Sequence, residues 1–264
     1  MSWTGGTSGR CALVGMVHAL ALPGSPGWGG SMAAVRERAR RDAEALLAGG
    51  CDALLVENMH DLPYLRGGVL PETVAAMAIV VADLAGLGAP LGVQVLAAAN
   101  REALGVAVAA GAAFVRVEGF AWAHVADEGW IDACAGELLR ARRALGADVA
   151  VIADVQKKHA AHAVTADLSL EELARGTAFC GADGLVVTGV STGCATSEAD
   201  VRAAKAAGVP VWVGSGVTPA DAGRLAAVAD ALIVGSALKI GGDWRAAVDV
   251  ARVRAVAAAM GRRG

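Results

Sequence analysis

Short apolar runs rich in β-branched residues recur along the chain, and longer stretches of helical period separate them. The runs are Leu13–His18, Ala53–Asn58, Gly92–Leu96, Phe114–Glu118, Val149–Val155, Gly184–Thr188, Val211–Gly214 and Leu232–Gly235. Runs this short, apolar throughout and bounded by turn signals, suit parallel strands buried on both faces. Between them the pattern predicts helices over Ser31–Ala48, Pro71–Leu84, Arg101–Ala110, Ile131–Leu145, Leu170–Cys180, Glu198–Ala207 and Pro219–Val228, closed by Trp244–Met260. Ser31, Asn100, Ser169, Ser197, Thr218 and Asp243 stand where N-caps are needed. Gly50, Gly111, Gly146 and Gly181 end helices just before the next strand restarts. Eight alternating units with turns this short predict one closed (β/α)8 barrel of parallel strands over residues 10–264, preceded by a loose tail at 1–9. An open doubly wound sheet is the alternative, but its G-x-G-x-x-G after the first strand is absent.

Composition narrows the picture. The 264 residues suffice for one large core, which must be aliphatic because aromatics make up only 4%. A formal net charge of −3 and the lack of a Lys/Arg block argue against a nucleic-acid partner. The five cysteines are scattered without C-x-x-C spacing, and read as small core residues of a reducing compartment. Leu84–Asn100 and Cys11–Leu22 are the most apolar stretches, but Gly86, Gly88, Pro90 and Gln94 break the first and His18 the second. No transmembrane segment is expected, and the location is read as cytoplasmic; peripheral membrane attachment or a homo-oligomer would leave no mark here.

In a barrel of this kind the chemistry sits at the carboxyl ends of the strands. Reading those ends gives His18, Glu57, Asn58, Asp61, Gln94, Arg116, Glu118, Asp154, Lys157, Lys158, His159, Thr188 and Thr192 on one rim. Any one of them suits a satisfied ion pair, such as Arg116 with Glu118 or Glu57; the whole set suits an active site. Glu57 and Asp154 come from different strands and form a candidate acid/base pair, with His18 able to do the same work. Lys158 is read first as a cation for a phosphate or carboxylate, and second as a Schiff-base lysine. His60 and His162 look like loop residues, and no spacing is diagnostic of a metal, so neither metal nor cofactor is expected. Two consecutive strands near the C-terminus stop at Gly214-Ser215-Gly216 and Gly235-Ser236, a pattern that predicts a phosphate cradle, with Gly189, Thr192 and Gly193 beside it. The loops Ala19–Gly30, His60–Leu70 and Gly119–Trp130 fall on the same side, where a small-molecule site needs walls.

These residues together resemble the BtpA/SgcQ family. The matching stretches are Gly15-Met16-Val17-His18 with Leu22-Pro23-Gly24-Ser25-Pro26, Val56-Glu57-Asn58-Met59 with Asp61-Leu62-Pro63-Tyr64, and Phe114-Val115-Arg116-Val117. Further ones are Asp127-Glu128-Gly129, Ala153-Asp154-Val155 with Lys158-His159-Ala160, Thr188-Gly189 with Thr192-Gly193, and the two Gly-Ser turns, the second with Leu238-Lys239. The resemblance covers nearly the whole chain and implies a TIM-type barrel. Through the founding cyanobacterial member it implies a part in accumulating photosystem I proteins, whereas enteric relatives sit among sugar-metabolism genes. The chain departs from the family pattern at Gln94, at Ala97, where an arginine is lost, at Glu118 and at Gln156, which marks a specialised branch. The expected function is therefore an enzyme acting on a phosphorylated sugar or nucleoside-like metabolite, as an isomerase, lyase or nucleosidase. The alternative is a non-catalytic assembly factor for a membrane complex such as a photosystem.

Overall fold

The structure is a computed structural model that describes residues 3–6, 9–157, 159–189 and 196–262. In chain order the strands are β1 (Ala12–His18), β2 (Ala53–Glu57), β3 (Leu91–Gln94), β4 (Phe114–Val117), β5 (His124–Ala126), β6 (Gly129–Ile131), β7 (Ala150–Asp154), β8 (Ala160–Ala161), β9 (Gly184–Val187), β10 (Val211–Val213) and β11 (Ala231–Val234). The helices are α1 (Met32–Ala48), α2 (Pro71–Leu84), α3 (Asn100–Ala110), α4 (Ala135–Ala144), α5 (Leu170–Phe179), α6 (Glu198–Lys205), α7 (Pro219–Ala226) and α8 (Val250–Ala259). Eight strands close a parallel barrel in the order β1-β11-β10-β9-β7-β4-β3-β2. The eight apolar runs are its staves.

Alternation along each stave decides which side chains fill the barrel and which meet the helices. Val14, Leu55, Ile152, Val186 and Ile233 point inward and form the interior cluster. Leu13, Val56, Val93, Val151 and Leu185 point outward and pack with Leu46, Met77, Leu104, Leu173 and Leu225 of the surrounding helices. The lower end is sealed by aromatics. Phe114 and Trp212 meet edge to face at 5.2 Å, and Trp3, within the segment expected to be a loose tail, packs 5.4 Å from each. Trp212 Nε1 donates to the Thr4 carbonyl at 2.9 Å. Gly92 makes room for this plug, since a Cβ there would overlap the Phe114 ring. Above this closed bottom, the polar side chains that line the barrel gather at the carboxyl end.

Local signals set most helix ends. Ser31, Ser169 and Ser197 accept hydrogen bonds from backbone N–H groups of the first turn, as caps do. Three expected caps do other work. Asn100 begins α3, and its amide donates to the Glu118 carbonyl at 2.7 Å. Thr218 holds the N-cap position of α7 as expected, but its hydroxyl donates to the Asp221 carboxylate at 2.7 Å instead of accepting from the first turn. Asp243 accepts from Arg245 N–H, and Asp249 caps α8, which starts at Val250 instead of Trp244. The helix expected from Ile131 starts at Ala135, because β6 pairs antiparallel with β5 and β5 with β8. This small sheet stands on the carboxyl-end side of β4 and β7. Among the cysteines, Cys11 and Cys51 are buried, and burial pushes both thiols up to about 12. Cys180, expected in the core, is exposed. No helix among the described residues is long and apolar enough to cross a membrane.

Candidate active site at the barrel mouth

The inward positions at the carboxyl ends carry the polar set, so alternation that hides apolar groups lower down delivers charge to the mouth. His18, Glu57, Gln94, Arg116, Glu118, Asp154 and Thr188 all line one cavity of about 640 Å³. Ser215, Gly216, Gly235 and Ser236 border the same cavity, as does Gly214.

Glu57 is 6% exposed, and burial raises its carboxyl to about 7, with Arg116 opposing and Glu118 and Asp154 adding to the rise. A carboxyl that titrates near neutrality can both take and give a proton at working pH. His18 lies 3.8 Å away through Nε2. Its Nδ1 is 3.2 Å from the Trp244 carbonyl, which can only accept, so Nδ1 carries the hydrogen and Nε2 presents a lone pair to Glu57. Burial, then the Lys239 ammonium, holds this imidazole down to about 3. His18 is therefore neutral, with its Nε2 lone pair toward the Glu57 carboxyl. Lys239 is itself fully buried against Asp42 at 3.2 Å.

Asp154, expected as the second half of an acid/base pair, is engaged otherwise. Arg116 Nη2 donates to its Oδ1 at 3.1 Å, and Nε lies 3.3 Å from both oxygens. With its lone pairs directed at a guanidinium, Asp154 holds Arg116 in place. Arg116 thus forms its ion pair with Asp154, and not with Glu118 or Glu57, the partners offered as the alternative from the sequence. Gly214 belongs to this arrangement too: a Cβ there would overlap Val186 and stand 3.2 Å from Arg116 Nη2. Its lack of a side chain clears room for the guanidinium.

Across the mouth, Lys157 Nζ reaches Glu128 at 2.7 Å and Glu118 at 3.6 Å. Burial works against this ammonium, but the two carboxylates hold its pKa above the usual lysine value. The pair ties the β5–β6 turn to the segment after β7. Lys157, read on the rim from the sequence, lines the cavity with Asp127 and Glu128 of the wall loop; Tyr64 and Arg252 line it too and were given no site role. Two expected residues lie elsewhere. Asn58 Oδ1 accepts the Leu96 N–H at 2.7 Å and its amide donates to Asp61 at 3.0 Å, so it clamps loops instead of facing the cavity. Gly189 does not line it. Lys158, Thr192 and Gly193 lie outside the described residues.

At the opposite end, the backbone N–H groups of Ser215, Gly216, Ser236 and Ala237 donate to no carbonyl among the described residues. Ser215 Oγ is buried without a partner among them. Gly216 has φ +74, which a side chain would strain. Arg252 Nε donates to the Ala237 carbonyl at 2.8 Å, which sets a guanidinium beside the second turn. One end of the cavity therefore offers donors to an anion and the middle offers a proton carrier beside a cation. Among the described residues, no group of three or more His, Cys, Asp or Glu side chains is arranged to hold a metal ion.

The profile of the BtpA family matches residues 10–262. An uncharacterised mitochondrial protein of Caenorhabditis elegans is 44% identical over 254 residues, covering 93% of this chain and 91% of that protein. The photosystem I biogenesis protein BtpA of a Synechocystis strain is 41% identical over 254 residues, covering 94% and 87%. Among solved structures, phosphoribosyl anthranilate isomerase from Thermus thermophilus superposes with a TM-score of 0.58 at 17% identity, over 95% of this chain and 98% of that one. A 3-hexulose-6-phosphate synthase superposes with a TM-score of 0.56 at 18% identity, over 94% and 99%. At such identities the structural likeness shows a shared barrel fold and no more.

Proposed function

The chain belongs to the BtpA family, and on the geometry of its mouth we propose that it is an enzyme acting on a phosphorylated sugar or similar small metabolite by acid/base chemistry. The observation that carries this reading is the division of one cavity. Amides of the two Gly-Ser turns that donate to no carbonyl among the described residues lie at one end, and Glu57 stands near Arg116 in the same cavity. In this reading the phosphate binds the turns near Arg252, Glu57 moves the proton, and Arg116 steadies developing negative charge. Asp154 keeps Arg116 aimed, and Lys157 with Glu118 and Glu128 forms the far wall.

The test is thermal shift against D-ribose 5-phosphate and D-fructose 6-phosphate, with the unphosphorylated sugars as controls. A ligand at a hundred times its dissociation constant stabilises by about 2.7 kcal/mol, enough to move the midpoint by several degrees. The phosphorylated compounds are expected to stabilise and the free sugars not. Ser236 is exposed, so Ser236→Glu should fold, place a carboxylate at the cradle and remove the shift. An undiminished shift in that variant would move the phosphate elsewhere.

A second reading has its own observation. A 41% identical relative bears a photosystem I biogenesis name, and Leu65, Val125 and Trp130 are exposed apolar groups beside the mouth. A docking factor would bind none of the sugar phosphates and would lose its partner in Trp130→Asp.

A further inference from the structure

Parallel pairing sets Gln94 beside Glu57 on one side. Continuing the β3–β4 register, in which Gly92 faces Phe114 and Val93 faces Val115, sets it beside Arg116 on the other. Gln94 lines the cavity and is only 2% exposed, and its Oε1 is buried with no donor among the described residues. An acceptor shut away from water and left unpaired costs about 1–3 kcal/mol, and native structures rarely carry one without a use. A hydrogen-bond donor belonging to the ligand would answer it. Its neighbour offers the complement: Arg116 commits Nε and Nη2 to Asp154, and Nη1 makes no hydrogen bond among the described residues. Three adjacent staves thus present a proton carrier, an empty acceptor and an N–H donor, in that order around the wall.

An acceptor next to a donor fits a hydroxyl next to a carbonyl on the neighbouring carbon. We infer that the ligand presents an α-hydroxycarbonyl unit to Gln94 and Arg116, and that Glu57 removes the proton from the hydroxyl-bearing carbon. This rests on the phosphosugar reading and narrows it to chemistry that begins at an enediolate. The C–H bond breaks and its proton goes to the Glu57 carboxylate. The electron pair forms the carbon–carbon double bond, and the carbonyl π pair moves onto the oxygen facing Arg116. Return of the proton from Glu57 to the same carbon restores the sugar; return to the neighbouring carbon gives the isomer once the hydroxyl proton passes to the oxygen facing Arg116, so no oxidant or reductant is needed. Gln94 accepts the hydroxyl hydrogen of the bound sugar and so selects the substrate.

The experiment follows exchange of the α C–H for deuterium by proton NMR in D₂O, with D-ribose 5-phosphate, D-fructose 6-phosphate and dihydroxyacetone phosphate. Enzyme-dependent exchange is expected with at least one of them, reduced about 10³-fold in Glu57→Gln while binding persists. Gln94→Met, of similar volume, is expected to weaken the hydroxylated aldose D-ribose 5-phosphate about tenfold. It should leave binding of 2-deoxy-D-ribose 5-phosphate, which lacks the hydroxyl, unchanged. Binding without exchange above the buffer rate would overturn the inference and leave the phosphosugar reading standing. So would a Gln94→Met variant that weakens both aldoses equally, since that is the mark of a structural role. Failure of every sugar phosphate to bind would end both.

Discussion

Glu57→Gln is expected to lower turnover about 10³-fold and, at the same time, to stabilise the protein at alkaline pH. The first effect is the size typical of removing a positioned acid/base group. The second follows from linkage. Glu57 titrates at about 7 in the folded chain, against an ordinary value of 4.5. Below pH 4.5 the group is protonated whether folded or not, and its burial carries no ionisation cost. Between pH 4.5 and 7 the unfolded chain releases a proton that the folded chain retains, so stability falls as pH rises. Above about 7 the full difference is felt, on the order of 3 kcal/mol. An amide of the same shape has no such dependence. Melting curves at pH 4 and pH 8 should coincide for wild type and variant at the lower value and separate by roughly 6 °C at the higher, with the variant above. Equal separations at both pH values would mean that the Glu57 carboxyl is not held up by burial.

Arg116→Met is expected to give the largest loss of stability of any single change at the mouth. Its guanidinium faces Asp154, which is 3% exposed, with Glu57 and Glu118 close by. Removing the cation leaves buried carboxyl groups without their partner, and breaking such a pair costs about 3–5 kcal/mol. Urea unfolding at pH 8 measures it. Adding Asp154→Asn should return a large part of the loss, because the orphaned charge goes with it. A single variant within about 1 kcal/mol of wild type would show that the pair contributes little, and would leave Asp154 without its part in holding Arg116.

The barrel was legible because parallel staves must be apolar on both faces, and each of the eight runs is stopped by glycine or a polar residue. The β5–β6–β8 sheet was not, since strands as short as His124–Ala126 and Gly129–Ile131 show no period. Alternation also explains the better and worse readings of the site. It carries Glu57, Gln94, Arg116 and Asp154 inward, and it turns Asn58 away from the side that Glu57 faces. Past Asp154 the chain leaves the sheet, so parity gave no means of picking out Lys157 as the lysine that ties the β5–β6 turn down. The neutral state of His18 was out of reach, because it depends on Trp244, which is 226 residues further along the chain. The same holds for the pairing of Arg116, which needs the relative height of two staves and the space left by Gly214.

The most direct measurement is a crystal structure of the protein with D-ribose 5-phosphate. Phosphate against the amides of Ser215–Gly216 and Ser236–Ala237, with the first two sugar carbons facing Glu57 and Arg116, is the result expected. An empty mouth at saturating ligand, or a phosphate bound away from the two Gly-Ser turns, would contradict the account.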